Sequence, residues 1–167
     1  MKVITASNAK EATDKIIGKL GDKGYVKNLT IDYHAGTFGN ESLSSSTTEL
    51  SRLAGGYAGD ATTCYLGQCW AGGNTASGAP DNTDDISNAL DGATTYGNQA
   101  AASSISFALF SHFIGVVPQP YGKTEANRAA VGKHTVTGRD PTTGATTTRT
   151  TTNIIRIENS GKIVEEE

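Results

Sequence analysis

Thr63–Gly73 reads TCYLGQCWAGG: a short apolar run, Cys69, a bulky ring, then two glycines. Both cysteines of the chain, Cys64 and Cys69, fall within it. An apolar run of this length predicts a buried strand over 62–68 that delivers Cys69 at its carboxyl end. Cys69 could then be a nucleophile, a metal ligand, half of a disulfide or a small core residue.

Geometry and spacing disfavour two of these. In one extended strand, five residues at ~3.3 Å each would separate the two Cα atoms by about 16 Å, beyond the ~7 Å that a disulfide spans. Two cysteines five apart and three scattered histidines match no usual zinc spacing. Cys64, mid-strand, reads as a buried small hydrophobe. Cys69 stays between core residue and nucleophile.

Working outward, Val3–Thr5 is a short strand candidate. Asn8 and Glu11 have capping-box spacing, and Ala9, Ala12, Ile16, Ile17 and Leu20 recur with helical period until Gly21. Leu29–Tyr33 predicts a second strand with His34 at its end. A polar loop, HAGTFGNESLSSSTT, leads to a helix near 49–58, broken at Gly55-Gly56. A Gly-, Ser- and Asn-rich loop over 71–81 precedes a helix over 83–90 and a strand over 93–97. The stretch 103–117 is apolar and of uncertain type, and 125–131 could form a helical turn or two. From His134 the chain is Thr-rich and reads as a β-meander over 134–167, with turns at DPTTG (140–144) and NSG (159–161). Strands alternating with helices imply a parallel sheet covered on both faces, and ligands of such sheets bind beyond the carboxyl ends of the strands. His34 and Cys69 both fall at such ends on consecutive strands, where they could meet.

Length suits one domain, an α/β core over 1–102 followed by the meander. A net charge of −3, with the fourteen Lys and Arg scattered, gives no footprint for nucleic acid. The opening MKVITASNAKEATDKIIGKL lacks the apolar centre of a signal peptide, and no run approaches the ~18–20 residues of a membrane span. The expectation is a soluble chain, delivered within a larger protein or cytoplasmic.

LTIDYHAG followed by TCYLGQCWAGG resembles the motif pair of the caspase-like cysteine peptidases: a strand ending in His-Gly, then one ending in Cys. The segment SNALDGATTYGNQ follows in the order found in the compact caspase-like domains of bacterial toxin and surface proteins. This resemblance covers about 100 residues. It implies a three-layer α/β/α fold with a mainly parallel sheet, and a His34–Cys69 dyad that cleaves peptide bonds. Cys69 would attack the carbonyl, His34 would act as acid and base, and the N–H groups of Cys69 and Ala35 or Gly36 would hold the oxyanion. Ala35 stands where the family has glycine, and Gln68 stands where it has a small residue before the Cys. QCWA is also similar to the papain element, but WAGGNTASGAP cannot continue as the long helix which papain-like enzymes place after their cysteine.

Asp32, Gln68 and Trp70 are candidates for a substrate pocket. Asp32 could instead cap a loop, and Trp70 could simply close the sheet end. Asp81, Asp84 and Asp85 suit a helix start, and His112 sits in an apolar run. Some toxin self-cleaving domains of the resembled group bind inositol hexakisphosphate in a basic pocket, but the fourteen Lys and Arg here are scattered, so no cofactor is expected, and the Cys and His spacing gives no metal site. The partner would be a protein or peptide substrate, with an inhibitor, immunity protein or parent protein as a further one. An alternative is the same fold kept as a non-catalytic interaction module.

Overall fold

The computed structural model describes residues 4–31, 37–38, 41–75, 78–100, 130, 132–157 and 163–166. Helix α1 (Ala9–Leu20) begins where the sequence places it. Asn8 accepts the Glu11 N–H at 2.8 Å, and the Glu11 carboxylate reaches back to the Ser7 N–H at 2.8 Å, one residue before the usual capping-box target. Gly21, with φ 62°, ends it. Val3 lies outside the described residues, and Ile4 and Thr5 are not in a strand.

Strand β1 (Asn28–Ile31) is followed by the two-residue strands β2 (Thr37–Phe38) and β3 (Glu41–Ser42), which pair antiparallel. Helix α2 (Leu43–Leu50) and a 3-10 turn (Ser51–Leu53) then fill the segment read as polar loop. The expected helix over 49–58 is therefore displaced towards the N-terminus. Ser and Thr have middling helix propensity, so tertiary packing decides: Ser46, Leu50 and Leu53 are buried. Gly55, with φ 73°, stops any continuation.

Strand β4 (Thr63–Leu66) is shorter than the expected 62–68. The segment read as a loop over 71–81 holds an antiparallel pair, β5 (Gly72–Asn74) and β6 (Ala79–Asp81). Helix α3 (Thr83–Ala89) and strand β7 (Thr94–Asn98) match the sequence reading closely. The Thr-rich tail forms β8 (His134–Arg139) and β9 (Thr146–Thr151) around the DPTTG turn, then β10 (Ile154–Ile157) and β11 (Ile163–Glu166), an antiparallel pair of their own. The stretch 103–117, His112 and the NSG turn lie outside the described residues.

The central sheet has the order β1-β4-β7-β8-β9. Its first three strands are parallel, and β8 and β9 continue it antiparallel. The fold is thus mixed α/β. Alternation along the paired strands puts Leu29, Ile31, Cys64, Leu66, Thr95, Gly97, Thr135 and Thr137 on one face. Helices α2 and α3 bring Leu50, Ile86 and Leu90 against its apolar members, and Ile16 and Ile17 of α1 pack on the same cluster. Parallel crossovers are right-handed as a rule, and two of them running in one direction along the sheet, β1 to β4 to β7, put their helices on one face. The opposite face buries Tyr65, Tyr96, Asn98, His134 and Val136. Among the described residues no helix is long and apolar enough to cross a membrane.

Candidate active site

The loop after β4 carries Cys69. Strands β1 and β4 are neighbours in parallel register, with Ile31 opposite Leu66. The Gly67 N–H extends the ladder by donating to Ile31 O at 2.9 Å. Cys69 follows Leu66 by three residues, as His34 follows Ile31 by three. Asp32, His34, Ala35 and Gly36 themselves lie outside the described residues.

Cys69 is half-buried and sits in a turn three residues beyond the end of β4, farther from the strand than expected. The separation of about 16 Å, reckoned for both cysteines in one extended strand, therefore does not apply as stated. Gln68, just before it, is buried. Trp70, just after it, holds φ 54°, a left-handed conformation rare for a bulky residue. Two main-chain bonds fix it: the Trp70 N–H donates to Ala100 O, and Trp70 O accepts from the Gly73 N–H, each at 2.9 Å. Ala71 O then accepts the Asn82 N–H at 2.9 Å, tying the loop to the start of α3.

The two glycines after Trp70 do different work. Gly73, with φ 76°, completes the turn. Gly72 lets the chain cross the sheet in backbone contact: a Cβ there would run into Gly97 O and come within 2.8 Å of Thr135 Oγ1. Gly97 is its counterpart on β7, since a Cβ there would lie 2.6 Å from Gly72 N. The Thr135 hydroxyl donates to Gly72 O and pins the crossing. The Cys69 loop is thereby held from β7, β8 and α3.

Buried polar groups gather at this end of the sheet. Asn98, at the end of β7, is fully buried and accepts the Tyr65 hydroxyl at 2.9 Å. His134, the first residue of β8, pairs with Asn98 and is buried. At this end, among the described residues, Gln68 Oε1, Trp70 Nε1 and Asn98 Nδ2 are buried without a hydrogen-bond partner. Such atoms are rare in folded proteins, and each calls for a water, an ion, a ligand or a functional reason. Gln68 and Trp70 flank Cys69 in the chain. Sequence reading picked them out but missed Tyr65, Asn98 and His134. An Asn at the carboxyl end of a strand was a signal for Asn98, whereas nothing local placed His134 beside it.

The remaining candidates separate clearly. Cys64 is fully buried among the helix-facing core residues, as its mid-strand position suggested, and burial pushes its thiol well above the ordinary value. The two cysteines are not joined to each other. Asp81 accepts the Thr83 N–H at 2.9 Å and its hydroxyl at 2.7 Å, so it serves the start of α3. Asp84 and Asp85 are exposed in the first turn, where the helix dipole favours carboxylates. Among the described residues no group of three His, Cys, Asp or Glu could hold a metal ion. The chain matches no protein-family model, no curated protein and no solved structure.

Proposed function

We propose that this domain is a caspase-like cysteine peptidase in which Cys69 is the nucleophile and His34 the acid and base. The observation that supports this reading most is the equal offset on two registered neighbours. Strands of a sheet lie ~4.8 Å apart. Three residues reach at most about 10 Å, so chain length allows the two side chains to meet at that sheet end. The fixed loop around Trp70 adds a rigid seat for the thiol.

In this mechanism the imidazole favours the thiolate, which attacks the substrate carbonyl. The N–H groups of Cys69 and of Ala35 or Gly36 receive the oxyanion. His34 protonates the leaving amine, and water then releases the acyl group. Asp32, Gln68 and Trp70 would border the substrate. By resemblance, the setting is an effector, a toxin or the self-processing unit of a larger bacterial protein, with a peptide segment as substrate.

Iodoacetamide labelling resolved by peptide mass spectrometry across pH tests the dyad without a known substrate. Cys64 is the internal reference, because its buried thiol stays protonated. The expected outcome is that Cys69 labels rapidly at neutral pH and that His34→Ala slows it about tenfold. A Cys69 that labels no faster than Cys64, or ignores His34, removes the mechanism and favours the non-catalytic interaction module.

A further inference from the structure

Strand β9 closes the sheet on the side away from β1, and its residues Thr146–Thr150 are all exposed. Their main-chain directions follow from the register. The Asp140 N–H donates to Ala145 O at 2.8 Å, and β8 and β9 continue in step from Arg139↔Thr146 to His134↔Thr151. Antiparallel ladders alternate, so Thr147, Arg149 and Thr151 turn their N–H and C=O groups towards β8. Thr146, Thr148 and Thr150 turn theirs outward.

The side chains of these three outward residues are already engaged. Thr146 donates to Asn88 Oδ1 at 3.3 Å, the Thr148 and Thr137 hydroxyls are bonded at 2.8 Å, and Thr150 accepts from Gln99 at 3.2 Å. What remains on offer is a straight row of main-chain donors and acceptors whose side chains need no further ordering. Natural edges are usually blunted by Lys, Pro, a bulge or a cover. The β9 sequence TTTRTT has neither Lys nor Pro, its one charge, Arg149, lies on the face opposite the side chains of Thr146, Thr148 and Thr150, and no described strand pairs with its outer side.

We propose that the outer edge of β9 docks an extended peptide segment of another protein, which adds to the sheet as a sixth strand. Size selects this occupant over a second copy of the chain. A stable interface between folded proteins takes about 20–30 residues a side, whereas this edge offers five. A strand added through main-chain bonds matches that footprint. Because Thr146, Thr148 and Thr150 present neutral hydroxyls on one face, the segment should carry small or β-branched uncharged residues at the alternate positions on that face.

Amide hydrogen exchange in the whole domain tests this. The probe is an acetylated, amidated octapeptide alternating threonine and valine between two terminal lysines. Free protein should show fast exchange at Thr146, Thr148 and Thr150, and slow exchange at Thr147 and Arg149. Peptide should protect the first set at least about tenfold. Thr148→Pro, which removes an outward N–H that β8 does not use, should abolish that gain. A peptide N-methylated at alternate amides should also fail, and it carries the test if the proline variant does not fold. Protection of Thr148 in free monomer would mean the edge is already covered and overturn the proposal. Protection that rises with protein concentration as the mass doubles would overturn it in favour of self-association. No protection at millimolar peptide would overturn it outright.

Discussion

The same face of one sheet is built in two ways. Under β1 and β4 it is hydrocarbon: Ile31, Cys64 and Leu66 meet Leu50, Leu53, Ile86 and Leu90. Under β7, β8 and β9 it is hydroxyl. Thr83 and Thr137 are bonded at 2.8 Å, Thr137 and Thr148 at 2.8 Å, and Gln99 donates to Thr135 and Thr150 at 2.8 and 3.2 Å. The first half gains from removing apolar area from water, without direction. The second gains little per bond but fixes direction, since each buried hydroxyl must find its partner. The sheet is thus glued on one side and registered on the other. The Cys69 loop lies at the seam, crossing from Leu66 to Gly97 and Thr135.

Truncation in the hydrocarbon half should have the largest effect. Leu66 is fully buried, and Leu66→Ala removes its contacts and leaves a cavity among rigid neighbours. A loss of about 3 kcal/mol is expected in denaturant unfolding. A loss below about 1 kcal/mol would mean that α2 and α3 can collapse into the space, and that this half is not tightly packed.

In the hydroxyl half, Thr137→Val keeps shape and deletes one bridging group. Thr83 retains Asp81 as a partner, and the exposed Thr148 can turn to water. The expected loss is about 1 kcal/mol, read in the same unfolding experiment. Hydrogen exchange at β9 should accelerate more than at β4, because the deleted group fixes direction. An equal effect on both strands would dissolve the distinction between the halves.

The two halves also differed in legibility. Helices α1 and α3 and strands β1, β4 and β7 show the alternation of periods that marks βα units, and the sequence reading found each within a few residues. DPTTG likewise declared its turn. The hydroxyl half was legible as strands, yet its place was not: Asn98 and His134 pair across a long separation with nothing in either segment to name the other. Helix α2 was misplaced because its Ser- and Thr-rich sequence carries no period, and burial of Ser46 and Leu50 had to supply the reason. At the site, Gln68, Cys69 and Trp70 announced themselves by composition. The left-handed turn at Trp70 and the backbone crossing of Gly72 over Gly97 did not, because both depend on what β7 and β8 bring to the loop.

The smallest effect expected is a pH dependence confined to the hydroxyl half. In the DPTTG turn Asp140 accepts the N–H groups of Thr143 and Thr142, both at 2.8 Å, and these bonds hold its carboxyl below the ordinary 3.8. A carboxyl lowered on folding stabilises the folded form at pH values above its unfolded value. That contribution fades as pH falls through the lower folded value. Amide protection at Thr142 and Thr143 should therefore decline below about pH 4, while the hydrocarbon core of β4, whose packing involves no titrating carboxylate, holds. Asp140→Asn keeps a side-chain carbonyl to accept both bonds but cannot titrate, so the local decline should vanish. If β4 amides open together with the turn, the hairpin and the parallel strands unfold as one unit, and the division of the sheet is one of chemistry but not of cooperativity.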